Sequence, residues 1–440
     1  MIRVCLPRGT TGSFTNFAPR VGVAYALTRD GKTRIRSGFG MFYDSMTPGV
    51  VNNRFADLTP FSPQIAITSP AGPFSNPALG IKDYPFPAPY PPPKNSLFPA
   101  PVLSITYDAT SNFEVPVTYD WNLTLERQIA RDWLTQASYV GAHSSHGKTT
   151  VQLNPAQYIP GSALGTDQRR IFQGYGAINM DGQSGNASYN SLQVAVKKRL
   201  SYGVNLNVAY TYSKSIDDYP NGGGNADVGS DSASVLPWYF RNGRVLDRGP
   251  SGSDHRHRLV LSYVWMLPSL SHANPLVRSV VDGWQLNGIT TLQTGDPMTV
   301  TAGFDRSLTG LGVDRADLVA GQPIYNSNVC GAAFDCVSWL NPAAFSGPKN
   351  SRGAFTGDGT FGNLGKGALR GPGSVTFDAG ISKNFKLTER WKLQLRGEFF
   401  NAMNHVNPGN PNLNLSAAQF GKITGVDSPR VGQVALKVSF

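Results

Sequence analysis

Three small groups of residues could carry chemistry. His255 and His257, in Ser-Asp-His-Arg-His-Arg-Leu, stand two apart, so on an extended strand their rings share one face. Such a pair could ligate a metal or act as a general base, or it could be a polar pair where a strand emerges from a loop. Asp217 and Asp218 open a Gly-rich stretch that also holds Asp227 and Asp231. These carboxylates suit calcium, but their spacing is not that of an EF-hand loop, and a solvated acidic loop is the default reading. Cys330 and Cys336 lie six apart, with Cys5 left over near Met1. No second Cys or His pair stands nearby at zinc spacing, which favours a disulfide in an oxidising, cell-surface setting over a metal site. The chain has no phosphate-cradling glycine loop, no His-Glu-x-x-His and no Gly-x-Ser-x-Gly. No nucleophile, base and orienter approach one another in sequence. The expectation is a protein that is not an enzyme and needs no cofactor.

The elements that would position these groups are strands. Val431 to Phe440 reads V-G-Q-V-A-L-K-V-S-F, with Val434, Leu436, Val438 and Phe440 on one face and Gln433, Ala435, Lys437 and Ser439 on the other. The same alternation sets Trp391, Leu393, Leu395 and Phe399 against Lys392, Gln394, Arg396 and Glu398. It also sets Val204, Leu206, Val208, Tyr210 and Tyr212 against Asn205, Asn207 and Thr211. The polar face is too polar for the dry interior of a sandwich. The apolar face is rich in Trp, Tyr and Phe, as lipid-facing girdles are. About eleven strands follow, near 19–28, 32–43, 117–129, 133–142, 188–200, 203–213, 256–267, 283–302, 373–385, 390–401 and 431–440, each near the ten residues a tilted strand needs to cross a bilayer.

Short connections (29–31, 130–132, 201–202, 268–282, 386–389) alternate with long ones (44–116, 143–187, 214–255, 303–372, 402–430). Outer-membrane barrels have short periplasmic turns and long extracellular loops. The fold class expected is therefore all-β: an antiparallel transmembrane β-barrel segment. The 440 residues include 48 Gly and 32 Pro, concentrated in the long connections. Tyr84 to Pro93, Y-P-F-P-A-P-Y-P-P-P, can be neither helix nor central strand. It reads as a polyproline-like loop, either a binding surface or a stiff ordered connection. The net charge of +11 is spread over strand ends and the polar face, as at Lys197, Arg258 and Arg396, rather than gathered in a patch, so no nucleic-acid partner is expected.

A family resemblance rests on several stretches in order: N-F-A-P-R-V-G-V-A-Y (16–25), T-R-I-R-S-G-F-G-M-F-Y-D (33–44), S-Y-N-S-L-Q-V-A-V-K-K-R-L (188–200), D-H-R-H-R-L-V-L-S-Y (254–263), G-W-Q-L-N-G-I-T-T-L-Q-T-G-D-P (283–297), L-R-G-P-G (369–373) and R-G-E-F-F-N-A-M-N-H (396–405). Together they resemble the barrel of TonB-dependent receptors, in particular the Oar-like group. The resemblance implies a 22-stranded barrel, of which the eleven strands are half, with a plug domain and an energy-coupling box that contacts TonB. Residues 1–18 read as a loop remnant without a plug, and 19–440 as the partial barrel. Met1 to Pro7 lacks the apolar core of a signal peptide. The implied function is receptor-mediated, TonB-coupled uptake or export of a large or scarce, unspecified ligand, with TonB engaged only through a missing N-terminal part. The alternative is a passive surface protein or adhesin. Expected partners are outer-membrane lipid and the barrel assembly machinery. The latter would read Val434, Leu436, Val438 and Phe440 as the assembly signal.

Overall fold

The computed structural model describes residues 16–44, 73, 75, 102–107, 115–218, 247–269, 274–329, 336–386, 388 and 390–439. Eleven long strands follow in sequence: β1 (Arg20–Ala26), β2 (Thr33–Tyr43), β3 (Val117–Ala130), β4 (Trp133–Gln152), β5 (Tyr175–Ser201), β6 (Val204–Asp217), β7 (His257–Met266), β8 (Trp284–Gln293), β9 (Ser374–Lys386), β10 (Lys392–Phe400) and β11 (Val431–Ser439). Each pairs antiparallel with its neighbour in sequence, with no crossover. Successive connections therefore fall at opposite ends, and all the long ones lie at one end. The sheet is open: its path begins at β1 and finishes at β11.

The register carries the period-2 pattern across the whole sheet. Directly opposed residues share a face. Leu395 faces Leu436, and Leu393 faces both Val438 and Phe385. Val208 faces Leu261 and Val196, and Trp121 faces Phe39. One predominantly apolar face thus runs from Val21 in β1 to Leu436 in β11. The other face is a polar lattice. Thr124 and Ser138 hydroxyls meet at 2.9 Å, Gln394 donates to Asn384 at 2.8 Å, and Arg396 pairs with Glu398 at 3.3 Å. At the short-turn end, Tyr202 and Gly203 both have positive φ, the geometry of a two-residue hairpin turn that matches strand twist.

Two lysines of this face, Lys198 and Lys383, lie at the short-turn end, and each is satisfied there. Lys198 turns its ammonium to the carbonyls of Ser201 and Val204. Lys383 lies beneath helix α1 (Pro275–Val281) and donates to the carbonyls of Val280 and Asp282, where the helix dipole favours a cation. The helix replaces part of what reads from sequence as a plain turn, 268–282. Asn274 caps it, accepting from the Val277 amide at 2.9 Å, and Pro275 opens it.

Other departures lie at the long-loop end. β4 and β5 run on as a paired hairpin well past the predicted 142 and 188, and a strand at Val102–Tyr107 pairs parallel with β5 inside what reads as loop. The eighth strand stops at Gln293 rather than 302. Beyond it, the connections 294–373 and 401–430 fold on each other. Small sheets join 297–298 to 369–370, 317–318 to 345–346, and 325–329 to 337–340 to 422–423. Met298, Val300, Ala316, Leu340, Ala344, Phe345, Leu364, Leu369 and Phe420 form the buried apolar cluster, all within this cap.

Candidate functional site

Three stretches distant in sequence meet where the cap joins the sheet. The backbone at Gly295, in Thr-Gly-Asp-Pro, passes so close to the carbonyl of Gly371, in Leu-Arg-Gly-Pro-Gly, that any Cβ on Gly295 would collide with it. The Gly371 amide donates to the Asp296 carbonyl at 2.9 Å, closing the neck of the 294–373 loop. Arg370, in the second stretch, reaches Asp254 in the third, Ser-Asp-His-Arg-His-Arg.

Asp254 is a buried brace. Its carboxylate has no exposed side-chain surface, and accepts from the Ser215 amide at 2.6 Å and from Arg370, with Arg256 at 3.6 Å. Two further buried pairs fasten the cap beside it. Lys366 meets Asp217 at the end of β6, and Arg315 meets Asp247 at 2.7 Å. Within the cap, Arg306 lies between Asp317 at 2.6 Å and Asp358 at 2.7 Å. The 153–174 loop joins through Ala156, whose amide donates to Thr309 at 2.8 Å, and Arg169, which donates to Leu308 at 2.8 Å. Buried charges persist only when paired and hydrogen-bonded, so these contacts hold the loops as one body.

The electrostatics follow from burial and pairing. Burial pushes the Asp314 carboxyl up to about 6, against the lowering effect of the Ser307 amide that it accepts. Burial also lowers the Arg315 guanidinium, opposed by Asp247. The hydrogen bond to Asp358 raises Arg306 despite desolvation. Asp358 is itself lowered: burial works against this, but hydrogen bonds from Arg306 and Thr360 prevail. This is the chemistry of a charge lattice that fixes shape.

The residues singled out from sequence fall as follows. His255 and His257 do not converge. His255 Nδ1 lies 3.2 Å from the Thr294 carbonyl, whereas His257 Nδ1 shares a 2.8 Å hydrogen bond with the Tyr210 hydroxyl and its ring packs against Tyr210 and Tyr212. Among the described residues no cluster of three or more His, Cys, Asp or Glu could hold a metal ion. Asp217 and Asp218 are not a solvated loop. Asp217 is buried against Lys366, and Asp218 accepts from the Asn186 amide at 2.6 Å. Their partners in the calcium reading, Asp227 and Asp231, lie outside the described residues, as do Cys5, Cys330, Phe440 and the 84–93 proline stretch. Cys336 is disulfide-bonded. Val434, Leu436 and Val438 sit on the apolar face of β11, opposite Gly397, Leu395 and Leu393. The brace residues Asp254, Lys366, Arg315 and Asp247 escaped sequence reading. Their only signal was that Asp254 and Arg370 fall inside the quoted family stretches.

The family model for the outer membrane β-barrel domain matches residues 6–433. The chain belongs to the outer-membrane β-barrel family. In this barrel domain the apolar face meets lipid, the polar face lines the lumen, and the long-loop end with its cap is extracellular. No curated protein matches the chain. Among solved structures it is similar to the outer membrane transporter YddB of Escherichia coli, with 10% identity over 96% of this chain and 40% of that one, at a TM-score of 0.49. It is also similar to the ferric enterobactin receptor PfeA of Pseudomonas aeruginosa (11% identity, 96% and 40% covered, TM-score 0.44). A third is the FrpB iron transporter of Neisseria meningitidis (11%, 97% and 39%, TM-score 0.39). The barrel domain thus spans about two fifths of the length of these structures.

Proposed function

We propose that this barrel domain is the C-terminal part of an energy-coupled outer-membrane receptor of the Oar-like, TonB-dependent kind, moving a ligand too large or too scarce for a porin. The observation that carries the reading is the direction of the two edge strands. With eleven antiparallel strands, β1 and β11 run the same way. A seam between them, or between two copies in one membrane, would be parallel. An all-antiparallel barrel needs an odd number of further strands, and open edges in lipid cost several kcal/mol per unpaired backbone group. Eleven more strands from the same parent protein would give the 22 that the sequence resemblance implies. The cap supports a receptor role, because loops fastened by buried ion pairs present a fixed surface to a ligand outside the cell. TonB is engaged through a part of the parent beyond this chain. The Cys336 partner is Cys330, which a non-reducing peptide map would show as one cross-linked fragment; linkage to Cys5 would overturn that pairing.

The test is uptake by cells carrying the parent gene, offered isotope-labelled ferric chelates, peptides and oligosaccharides, with and without a protonophore. Accumulation that needs both the gene and the proton gradient supports the reading. Gene-dependent accumulation that survives the protonophore indicates a passive pore. Gene-dependent adhesion without accumulation indicates the surface-protein alternative, and either result sinks the energy-coupled assignment.

A further inference from the structure

Helix α1 stands in the periplasmic connection between β7 and β8, yet it is docked on the side of the sheet. Its Val280 carbonyl accepts from the Trp284 indole at 2.8 Å and from the Lys383 ammonium at 2.8 Å. The same ammonium donates to the Asp282 carbonyl and lies over the Trp284 and Phe385 rings. Lys383 is directly opposed to Trp284 on β8 and to Leu395 on β10, so all three share the lipid-facing side. The last turn of α1 therefore reaches past β8 and covers β9 from the lipid side, which leaves Lys383 3% exposed. The helix is amphipathic. Val277, Val280 and Val281 fall along one side, and Arg278, Ser279 and Asp282 along the other, with Arg278 and Asp282 paired at 3.5 Å. Val281 is half-buried, whereas Val277 and Val280 are 43% and 68% exposed.

We propose that α1 is an interfacial anchor, a helix that lies in the inner leaflet of the outer membrane with Val277 and Val280 among the acyl chains, clamped to the sheet by Lys383. Two observations select lipid over a periplasmic protein as the occupant of its apolar side. The helix is held on the face that meets hydrocarbon, so its exposed valines extend a contact the strands already make. Its pattern, an apolar stripe beside a charged one, is that of helices that lie in the plane of a membrane surface. The clamp has a physical reason. An ammonium on the lipid-facing side is costly unless it finds acceptors, and the carbonyls at the C-terminal end of α1 supply them where the helix dipole also favours a cation. A connection between strands thus adds a membrane contact of its own. The inference depends only on which face meets lipid and is independent of whether the parent protein transports anything.

Photo-crosslinking of the full-length protein in its own membrane tests this, with p-benzoylphenylalanine placed singly at Val280, Ser279 or Ile381. Ile381 lies two residues from Lys383 on the lipid-facing side of β9 and serves as the positive control. Phospholipid adducts are read as mass additions on the labelled peptide. They should form at Val280 as readily as at Ile381, and about tenfold more than at Ser279 on the polar side of the helix. A cross-link from Val280 to a protein would show a periplasmic partner instead, and equal adducts at Val280 and Ser279 would show a helix in water. Either result overturns the proposal. The clamp has a test that leaves the helix sequence intact. Lys383→Met, an apolar change on a lipid-facing position, should cut adducts at Val280 several-fold and leave those at Ile381 unchanged. Adducts at Val280 that survive the change, or that fall in step with those at Ile381, would refute the role of Lys383.

Discussion

Lys366 and Asp217 are 3% and 4% exposed and neutralise each other at the junction of cap and sheet. Removing one partner takes the direct counter-ion away from a buried charge. Lys366→Met should destabilise the cap by about 3–5 kcal/mol, whereas Lys366→Met with Asp217→Leu should recover most of the loss. Urea-dependent proteolysis of the 294–373 loop reads both, and equal damage from the single and double variants would show that the charge pair is not what matters there. Asp314 carries a pH dependence of known sign. Folded, it keeps its proton up to about pH 6; unfolded, it loses it near 3.8. The folded chain therefore binds more protons between those values, and this group's contribution to cap stability falls as pH rises through the window, then levels off. Asp314→Asn cannot ionise, so it should flatten the profile and gain about 3 kcal/mol above pH 6. Urea midpoints measured from pH 4 to 7 would decide, and parallel profiles for the two proteins would refute the assignment. Sequence shows each of these residues as polar but not as buried. Asp217 finds its lysine 149 positions away, beyond the reach of any local pattern.

The strands were legible because lipid on one side and lumen on the other impose a strict alternation. Where that demand lapses, the reading lapsed with it. β4 and β5 continue past the bilayer through Ser, Gly and Asn that show no apolar face, so their outer halves read as loop. The eighth strand was read too long for the opposite reason. Met298, Val300 and Ala302 do alternate with polar residues, but they are 3%, 0% and 0% exposed, Met298 and Val300 in the dry core of the cap rather than against lipid. Helix α1 has seven residues and only its Asn-Pro opening as a signal, too short for a helical period to show. β11 obeys the alternation along its described length, with Val434 and Leu436 79% and 64% exposed on the lipid face. As the proposed assembly signal, this strand should tolerate Lys437→Gln and fail with Leu436→Asp. The measurement is the amount of heat-modifiable parent protein in the outer membrane, and equal loss from both changes would count against the signal.

At the scale of the whole molecule, the architecture separates two kinds of stability. The sheet keeps its apolar residues on a surface and relies on lipid to cover them, while the buried apolar cluster among the described residues sits entirely in the extracellular cap. That division has a calorimetric consequence. The heat-capacity increase on unfolding comes from apolar surface that passes from a dry interior into water. If the cap melts while the strands stay in lipid, only the cap supplies that increase. A scan in lipid should therefore resolve a low-temperature, strongly urea-sensitive transition with a positive heat-capacity step, and a separate, nearly stepless one at higher temperature. The protein then has no single melting temperature, because two solvents, water and hydrocarbon, each govern their own part of one chain.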